Sequence, residues 1–224
     1  MHDIVLNKKV LAKNDAIAGE NRQRLKEKGV FTINMISAPG AGKTSIVEKT
    51  VELIKGRRSL AVIEGDIQTD LDTQRLLVYG IPVRQINTGR SCHLDAHMIY
   101  HTLPWLFEQE GVDFLIIENV GNMVCPAEYD LGEDLKVAVM SATEGDDKPI
   151  KYPSLFSSSK YLLINKVDHI PYTNFNIEKA MKNALSVNPE LKIIKTSCVD
   201  GTGMKEWAEV CCNFRTERPT GYSG

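Results

Sequence analysis

One segment limits the fold of this chain more than any other feature of its sequence. It reads Ser-Ala-Pro-Gly-Ala-Gly-Lys-Thr from Ser37 to Thr44, directly after the apolar run Phe31–Ile36 and directly before a helical pattern. A strand, a glycine-rich loop and a helix in this order are typical of a phosphate-binding loop, because glycines let backbone N–H groups turn toward the phosphates. The segment therefore predicts a P-loop fold that binds a nucleotide.

The residue types within this loop predict distinct roles. The Lys43 ammonium is expected to reach the β and γ phosphates, and the Thr44 hydroxyl is expected to bind Mg²⁺. Ser37 stands where the usual pattern has its first glycine, so the chain must enter the loop without a residue that freely takes positive φ. A chance Gly-Lys-Thr in an unrelated turn is the alternative, and the strand–loop–helix setting disfavours it. The other loop residues expected to contact the nucleotide are Pro39, Gly40, Ala41, Gly42 and Ser45.

Apolar, β-rich runs recur along the chain and alternate with helical patterns. They lie at Phe31–Ile36, Leu60–Ile63, Phe114–Ile117, Val137–Met140, Tyr161–Ile164 and Ile193–Ile194. Several are nearly continuous, as parallel strands buried on both faces should be. The pattern predicts an α/β fold, a doubly wound and mostly parallel sheet flanked by helices, with ligands at the carboxyl ends of the strands. We expect a single P-loop domain over residues 1–224, with residues 1–29 as an N-terminal helical extension.

A second motif indicates which base is bound. The segment Asn165-Lys166-Val167-Asp168 follows an apolar strand and resembles the guanine-specificity motif of GTPases, whose aspartate accepts from guanine N1–H and the 2-amino group. Adenine would leave that carboxylate unpaired, and a buried unpaired polar group costs about 1–3 kcal/mol. Ser197 and Cys198 follow the next strand and resemble the loop whose backbone contacts the guanine carbonyl. The two segments together predict GTP rather than ATP.

Carboxylates at two other strand ends are candidates for holding Mg²⁺. The segment from Glu118 to Gly121 ends the strand Phe114–Ile117 and looks like the GTPase switch that senses the γ phosphate. The Glu118 carboxylate would hold Mg²⁺ through water, while the Gly121 N–H would bond the γ phosphate and release it after hydrolysis. Asp66 follows the strand Leu60–Ile63 and is either a second Mg²⁺ residue or a turn or helix-cap aspartate. Because no glutamine lies beside Gly121 to orient water, intrinsic GTP hydrolysis is expected to be slow and partner-dependent.

Charge and composition exclude several other functions. A formal net charge of −2 over 224 residues, without a long basic run, gives no attraction to nucleic acid or to an anionic membrane. The first residues lack the apolar run of a signal peptide, and no stretch approaches a membrane span. A cytoplasmic protein is therefore expected, and its five cysteines should be reduced thiols that are buried, reactive or metal-bound.

Two cysteines and a histidine suggest a metal site. Cys92 and His93 are adjacent before a probable helix, and Cys125 lies shortly after the switch segment. Two thiolates and one imidazole suit Zn²⁺ or Ni²⁺, and the alternative is that both cysteines are ordinary small buried side chains. His97 and His101 continue the four-residue spacing along one helical face, but such a stripe is more often surface than ligand, so both rank below His93.

Longer stretches around these residues resemble one family of GTPases. They are Thr-Gly-Arg-Ser-Cys-His-Leu-Asp-Ala-His-Met from Thr88, Glu-Asn-Val-Gly-Asn-Met-Val-Cys-Pro from Glu118 and Thr-Glu-Gly-Asp-Asp-Lys-Pro-Ile-Lys-Tyr-Pro from Thr143. With the P-loop and the guanine motif, they make the chain from Phe31 to Phe214 similar to the HypB family, the GTPases that deliver nickel during [NiFe]-hydrogenase maturation.

The resemblance implies more than the residues show by themselves. It implies a SIMIBI-like GTPase fold with GTP or GDP, Mg²⁺ and either Ni²⁺ or Zn²⁺ bound. It also implies that GTP promotes a homodimer with Cys92, His93 and Cys125 at the interface. Hydrolysis would accompany nickel transfer to the hydrogenase large subunit, with help from a nickel-handling accessory protein. Since Met1 to Asn14 carries neither a cysteine-rich nor a histidine-rich nickel motif, a separate N-terminal nickel store is not expected.

Related GTPases remain as alternatives. A urease accessory GTPase would have a Cys-Pro-His metal motif, whereas Ala127 follows Cys125-Pro126 here. A GTPase chaperone for a cobalamin-dependent mutase would share the P-loop and guanine motif without needing Cys92-His93. A purely structural nickel or zinc store would leave Lys43 and Asp168 without a role.

Overall fold

A seven-stranded parallel sheet forms the centre of the part of the chain that the structure describes. The computed structural model describes residues 2–66, 71–89 and 91–214. Its strands are β1 Phe31–Ser37, β2 Leu60–Asp66, β3 Val83–Asn87, β4 Phe114–Glu118, β5 Leu135–Ser141, β6 Ser159–Asn165 and β7 Lys192–Lys195. Their order across the sheet is β3-β2-β4-β1-β5-β6-β7, and each neighbouring pair is parallel.

Helices connect these strands. Within the described residues they are α1 His2–Glu27, α2 Lys43–Ile54, α3 Leu71–Leu77, α4 Ala96–Phe107, α5 Cys125–Glu128, α6 Lys148–Lys151, α7 Pro153–Ser158, α8 Ile177–Val187 and α9 Met204–Asn213, with a 3₁₀ helix at Val167–Tyr172. Side-chain caps fix two of the starts. The Asp95 carboxylate accepts from the Met98 N–H at the start of α4, and the Asn176 side chain accepts from the Lys179 N–H at the start of α8.

Alternate side chains of the interior strand β4 enter different hydrophobic clusters. Phe114 and Ile116 pack in a cluster with Trp207 of α9, whereas Leu115 and Ile117 belong to the cluster that contains much of α4. These four side chains are fully buried. Burial on both faces explains why this strand reads as a continuous apolar run, since burying each such side chain contributes about 1.5–3 kcal/mol. The predicted doubly wound α/β fold is therefore confirmed.

The edge strand β3 is missing from the sequence-based prediction. Its sequence Val-Arg-Gln-Ile-Asn alternates with only two apolar residues, and its side chains are half-buried or exposed. Because β3 pairs with β2 alone, it does not need the two-sided apolar run by which the other strands were recognised.

The long helix α1 packs beside the sheet. Within it, the buried Asn21 side chain donates to the carbonyls of Ala96 and Leu131, at 2.8 and 3.0 Å. Arg22 forms an ion pair with Asp130 at 2.7 Å. These contacts tie α1 both to the start of α4, three residues after His93, and to the segment that follows α5. No helix in the described part of the chain is both long and apolar enough to cross a membrane.

Candidate functional site

The phosphate loop lies at the carboxyl edge of the sheet, where β1 lies between β4 and β5. This is the point where the strand order reverses, and ligands of open α/β sheets bind there. A cavity of about 420 Å³ opens at this edge. It is lined by Pro39, Gly40, Gly42, Lys43, Thr44, Ser45, Glu64, Gly65, Asp66, Asp72, Arg75, Glu118, Asn119, Gly121 and Lys166.

Two glycines give this loop its shape. Gly40 and Gly42 have φ of 73° and 95°, in the left-handed region that glycine enters without strain. A Cβ on Gly42 would lie 2.5 Å from the Asn165 amide nitrogen, so the loop also requires glycine for close approach. Ser37 needs no such freedom, because it ends β1 in extended backbone. Its hydroxyl instead accepts from the Lys43 ammonium at 2.9 Å.

Lys43, Thr44 and Glu118 meet at the base of the cavity. The Thr44 hydroxyl donates to one Glu118 carboxylate oxygen at 2.9 Å, while the other Glu118 oxygen is buried without a hydrogen-bond partner. Burial raises the pKa of Glu118, with Lys43 nearby opposing the shift, and burial lowers the pKa of Lys43. A hydroxyl and an orphaned buried carboxylate oxygen beside a phosphate loop are the oxygen donors that Mg²⁺ prefers.

Sequence reasoning missed a second buried carboxylate, Glu64 of β2. Glu64 is 2% exposed, is paired in register with Glu118 and accepts a hydrogen bond from the Thr73 hydroxyl. Burial raises its pKa to about 7, partly offset by that hydrogen bond. Its position two residues before Asp66, at the carboxyl end of a strand, was the sequence signal that could have identified Glu64. Asp66, the last residue of β2, lines the same cavity.

Helix α3 brings a guanidinium to the same cavity. Arg75 lines it and forms ion pairs with Glu48 at 2.7 Å and Asp72 at 3.0 Å. It also donates to the Ser45 hydroxyl at 3.1 Å. No motif marks Arg75 in the sequence, since it reaches the P-loop helix only through the packing of α3 against α2.

The predicted guanine residues lie beside the phosphate loop. The Asn165 amide donates to the Ala41 carbonyl at 2.9 Å, and the Lys166 ammonium donates to the Gly40 carbonyl at 2.7 Å. One Asp168 carboxylate oxygen is buried without a partner, as an acceptor reserved for a ligand would be. Ser197 and Cys198 follow β7, and the Thr196 hydroxyl before them donates to Asn165 at 3.3 Å. Asp168, Ser197 and Cys198 lie outside the residues that line the phosphate cavity.

Cys92, His93 and Cys125 come together at the surface. Their ligand atoms all lie within 4.8 Å of one another. The two Sγ atoms are 3.1 Å apart as free thiols, and the Cys92 Sγ lies 3.7 Å from the His93 Nδ1. Burial lowers the pKa of His93, which favours the neutral imidazole that binds metals. The hydrogen bond with Cys92 is the largest cause of the raised pKa of Cys125.

Asn119 joins the predicted switch segment to the residue that follows His93, and sequence reasoning did not identify it. Its side-chain oxygen accepts from the Leu94 N–H at 3.2 Å and the Val120 N–H at 2.9 Å, and its amide donates to Asn34 at 3.2 Å. Nearby, the Asn122 amide donates to the Cys92 carbonyl at 3.3 Å. The residues after Glu118 thus hold the backbone on both sides of His93.

Comparison with known proteins identifies relatives of this chain. Residues 31–195 match a family model described as the CobW/HypB/UreG nucleotide-binding domain. The hydrogenase maturation factor HypB of Azotobacter vinelandii is 51% identical over 198 residues, which are 88% of this chain and 65% of that protein. The chain thus spans about two thirds of the length of that relative.

Two solved structures extend the similarity. The crystal structure of the hydrogenase maturation factor HypB from Archaeoglobus fulgidus has a TM-score of 0.84 and 40% identity, covering 89% of this chain and 97% of that one. The crystal structure of HypB from Helicobacter pylori in complex with nickel has a TM-score of 0.85 and 36% identity, covering 88% and 93%.

Proposed function

The chain belongs to the CobW/HypB/UreG family, as a member of its HypB branch, and on this basis we propose that it is a GTP-hydrolysing metallochaperone. It delivers nickel during [NiFe]-hydrogenase maturation. Residues 1–224 act as one P-loop GTPase domain, with residues 1–29 as its helical extension. The observation that carries this proposal is the hydrogen bonding of Asn119, which joins the γ-phosphate sensor to the Cys92–His93–Cys125 cluster.

GTP binds across the phosphate cavity and the Asn165 to Asp168 segment. The buried, unpartnered Asp168 oxygen accepts from the guanine edge, and Lys43 holds the β and γ phosphates. Thr44 and Glu118, with Asp66 nearby, would hold Mg²⁺. When bound, the ion would neutralise negative charge on the phosphates.

The bound nucleotide acts on the metal site by fixing or releasing the segment that leads to Cys125. The Gly121 N–H bonds the γ phosphate, and Gly121 lies against the loop, since a Cβ there would be 3.0 Å from the Pro39 Cα. Loss of the γ phosphate frees this segment, and Cys125 lies four residues further along the chain. Nickel, the cargo, is therefore held differently in the GTP and GDP states.

A second copy of the chain completes the metal coordination. Cys92 is exposed and Cys125 is half-buried, so the cluster can face an identical cluster across a two-fold axis. GTP favours this homodimer. A nickel-handling accessory protein and the hydrogenase large subunit then receive the ion after hydrolysis.

Nickel transfer tests the proposal directly. The nickel-loaded protein is mixed with the large-subunit acceptor in the presence of GTP, GDP or a non-hydrolysable GTP analogue, and nickel in the acceptor is measured. Transfer should occur with GTP and fall by at least about tenfold with the analogue, because coupling between sites typically reaches 5–150-fold. Equal transfer with all three nucleotides would contradict the proposal.

A further inference from the structure

A buried asparagine interrupts the apolar run of strand β1. Asn34 lies between Ile33 and Met35, and its side chain is fully buried. Its Oδ1 accepts from the Asn119 amide at 3.2 Å, and its own amide donates to Glu133 Oε1 at 3.3 Å. All three of these polar residues are at most 5% exposed. A polar network buried this deeply is costly unless each of its members is paired.

The backbone fixes the direction of these hydrogen bonds. Asn119 Oδ1 accepts from the N–H groups of Leu94 and Val120, so the other end of that side chain must be its NH₂ group. Asn34 must therefore turn its oxygen toward Asn119. Its NH₂ group then faces Glu133, which has to offer an oxygen that accepts.

Glu133 ends this chain of hydrogen bonds and has to accept at both oxygens. One oxygen accepts from Asn34, and the other accepts from the backbone N–H of Leu131 at 2.7 Å. A neutral glutamine offers one oxygen and one NH₂ group, so it would set one N–H group against another. Because the backbone N–H of Leu131 cannot become an acceptor, the mismatch would fall on Asn34 and, through it, on Asn119.

We propose that Glu133, acting through Asn34, is a positioning residue that fixes the orientation of the Asn119 amide. In that orientation Asn119 holds the Leu94 N–H, one residue after His93. The inference rests on the proposed function for its consequence, which is that coupling between nucleotide and nickel requires Glu133. The amide orientation itself is a property of the protein without metal or nucleotide.

Hydrogen exchange at the Leu94 amide tests this orientation in the protein without metal or nucleotide. Glu133→Gln should speed exchange at Leu94 by about tenfold or more, the usual effect of losing a buried hydrogen bond. The Lys179 N–H at the start of α8 should keep its wild-type rate. The matched control is Asp134→Asn, which removes a charge one residue away but keeps an oxygen for the Thr32 N–H.

A compensating double variant separates positioning from a general loss of stability. Asn34→Asp combined with Glu133→Gln places two acceptor oxygens at position 34 and a neutral amide at position 133, so every N–H group again meets an oxygen. Lys136 lies beside Asn34 in the β1–β5 register and 4.0 Å from Glu133 Oε1, so a cation stays near the moved charge. Slow exchange at Leu94 should therefore return in the double variant.

Nickel titration of the GDP-bound and analogue-bound forms of the same variants measures the functional consequence. The factor between the two nickel affinities should fall toward one in Glu133→Gln and return in the double variant. Wild-type exchange at Leu94 in Glu133→Gln, or fast exchange that the double variant does not reverse, would overturn the positioning role. Equal nickel affinities in the two nucleotide states of the wild-type protein would instead contradict the proposed coupling, while the exchange rates still decide the orientation.

Discussion

The proposed function assigns the nucleotide chemistry to single residues, and substitutions at two of them should have different effects. Lys43→Ala removes the charge that holds phosphate, so GTP turnover should be lost. Asp168→Asn keeps the pocket but presents an amide to the base, so preference should shift toward xanthosine nucleotides by about 10-fold to 100-fold, the value of one exchanged buried hydrogen-bonding group. Competition binding with GTP and XTP measures this. An unchanged preference for GTP would remove the guanine role of Asp168.

Glu64 should make the stability of the nucleotide-free protein depend on pH. Its folded pKa of about 7 lies above the usual 4.5, so the unfolded chain ionises first as pH rises. The stability is intact below pH 4.5 and is lost progressively up to about pH 7. After allowing for screening in the open cavity, the loss is about 1–2 kcal/mol.

Glu64→Gln should flatten this part of the pH profile, measured by urea unfolding between pH 4.5 and 8. Glu52→Gln is the control, because Glu52 is an exposed carboxyl whose pKa is lowered by Lys49. A Glu64→Gln profile as steep as that of wild type would show that this carboxyl ionises normally in the folded protein.

The metal site proposed at Cys92, His93 and Cys125 should also depend on individual side chains. Cys92→Ser or Cys125→Ser should weaken nickel binding by at least about tenfold while leaving GTP affinity of the metal-free protein unchanged. Cys198→Ser is the matched control, because burial raises the pKa of Cys198 to about 11 and keeps it a thiol at neutral pH. Calorimetric nickel titration distinguishes the variants. Wild-type nickel affinity in both Ser variants would mean that these thiols are not ligands.

At the scale of elements, the segment between β4 and α5 should couple nucleotide to metal. Asn119→Ala removes the acceptor of the Leu94 N–H, so the factor by which a GTP analogue changes nickel affinity should fall toward one. Asn176→Ala is the control, because it removes a helix cap of α8 at a comparable cost of about 1 kcal/mol. Nickel titration of GDP-bound and analogue-bound protein gives both factors. Full coupling in Asn119→Ala would place the link elsewhere.

The sequence predicted those features whose chemistry comes from neighbouring residues, and it missed those that depend on residues far apart in the chain. The P-loop and the guanine motif were recognisable because neighbouring residues supply their chemistry, and the HypB resemblance that they supported is confirmed. The contributions of Glu64, Arg75 and Asn119 depend on partners far along the chain, such as Glu118 beside Glu64. Strand β3 was not predicted because an edge strand carries a weak apolar pattern.

At the scale of the whole molecule, GTP should favour formation of the homodimer. The 25.0 kDa chain should double its mass with a non-hydrolysable GTP analogue and nickel, and it should do so less with GDP. Light scattering across a concentration series measures the shift. The Lys43→Ala variant should stay monomeric under both conditions. Identical masses with the analogue and GDP would remove the dimer from the mechanism.

The position of β1 in the sheet also affects how the chain folds as it is made. β1 ends at Ser37, but its two neighbours are β4 and β5, and β5 ends only at Ser141. At about 5–20 residues per second, synthesis needs several seconds to supply both neighbours. Until β4 has emerged, this apolar strand has no neighbouring strand to pair with, and the loop after it has no fixed edge on which to bind phosphate. GTP can therefore assist folding only late in synthesis, after both neighbours of β1 have emerged.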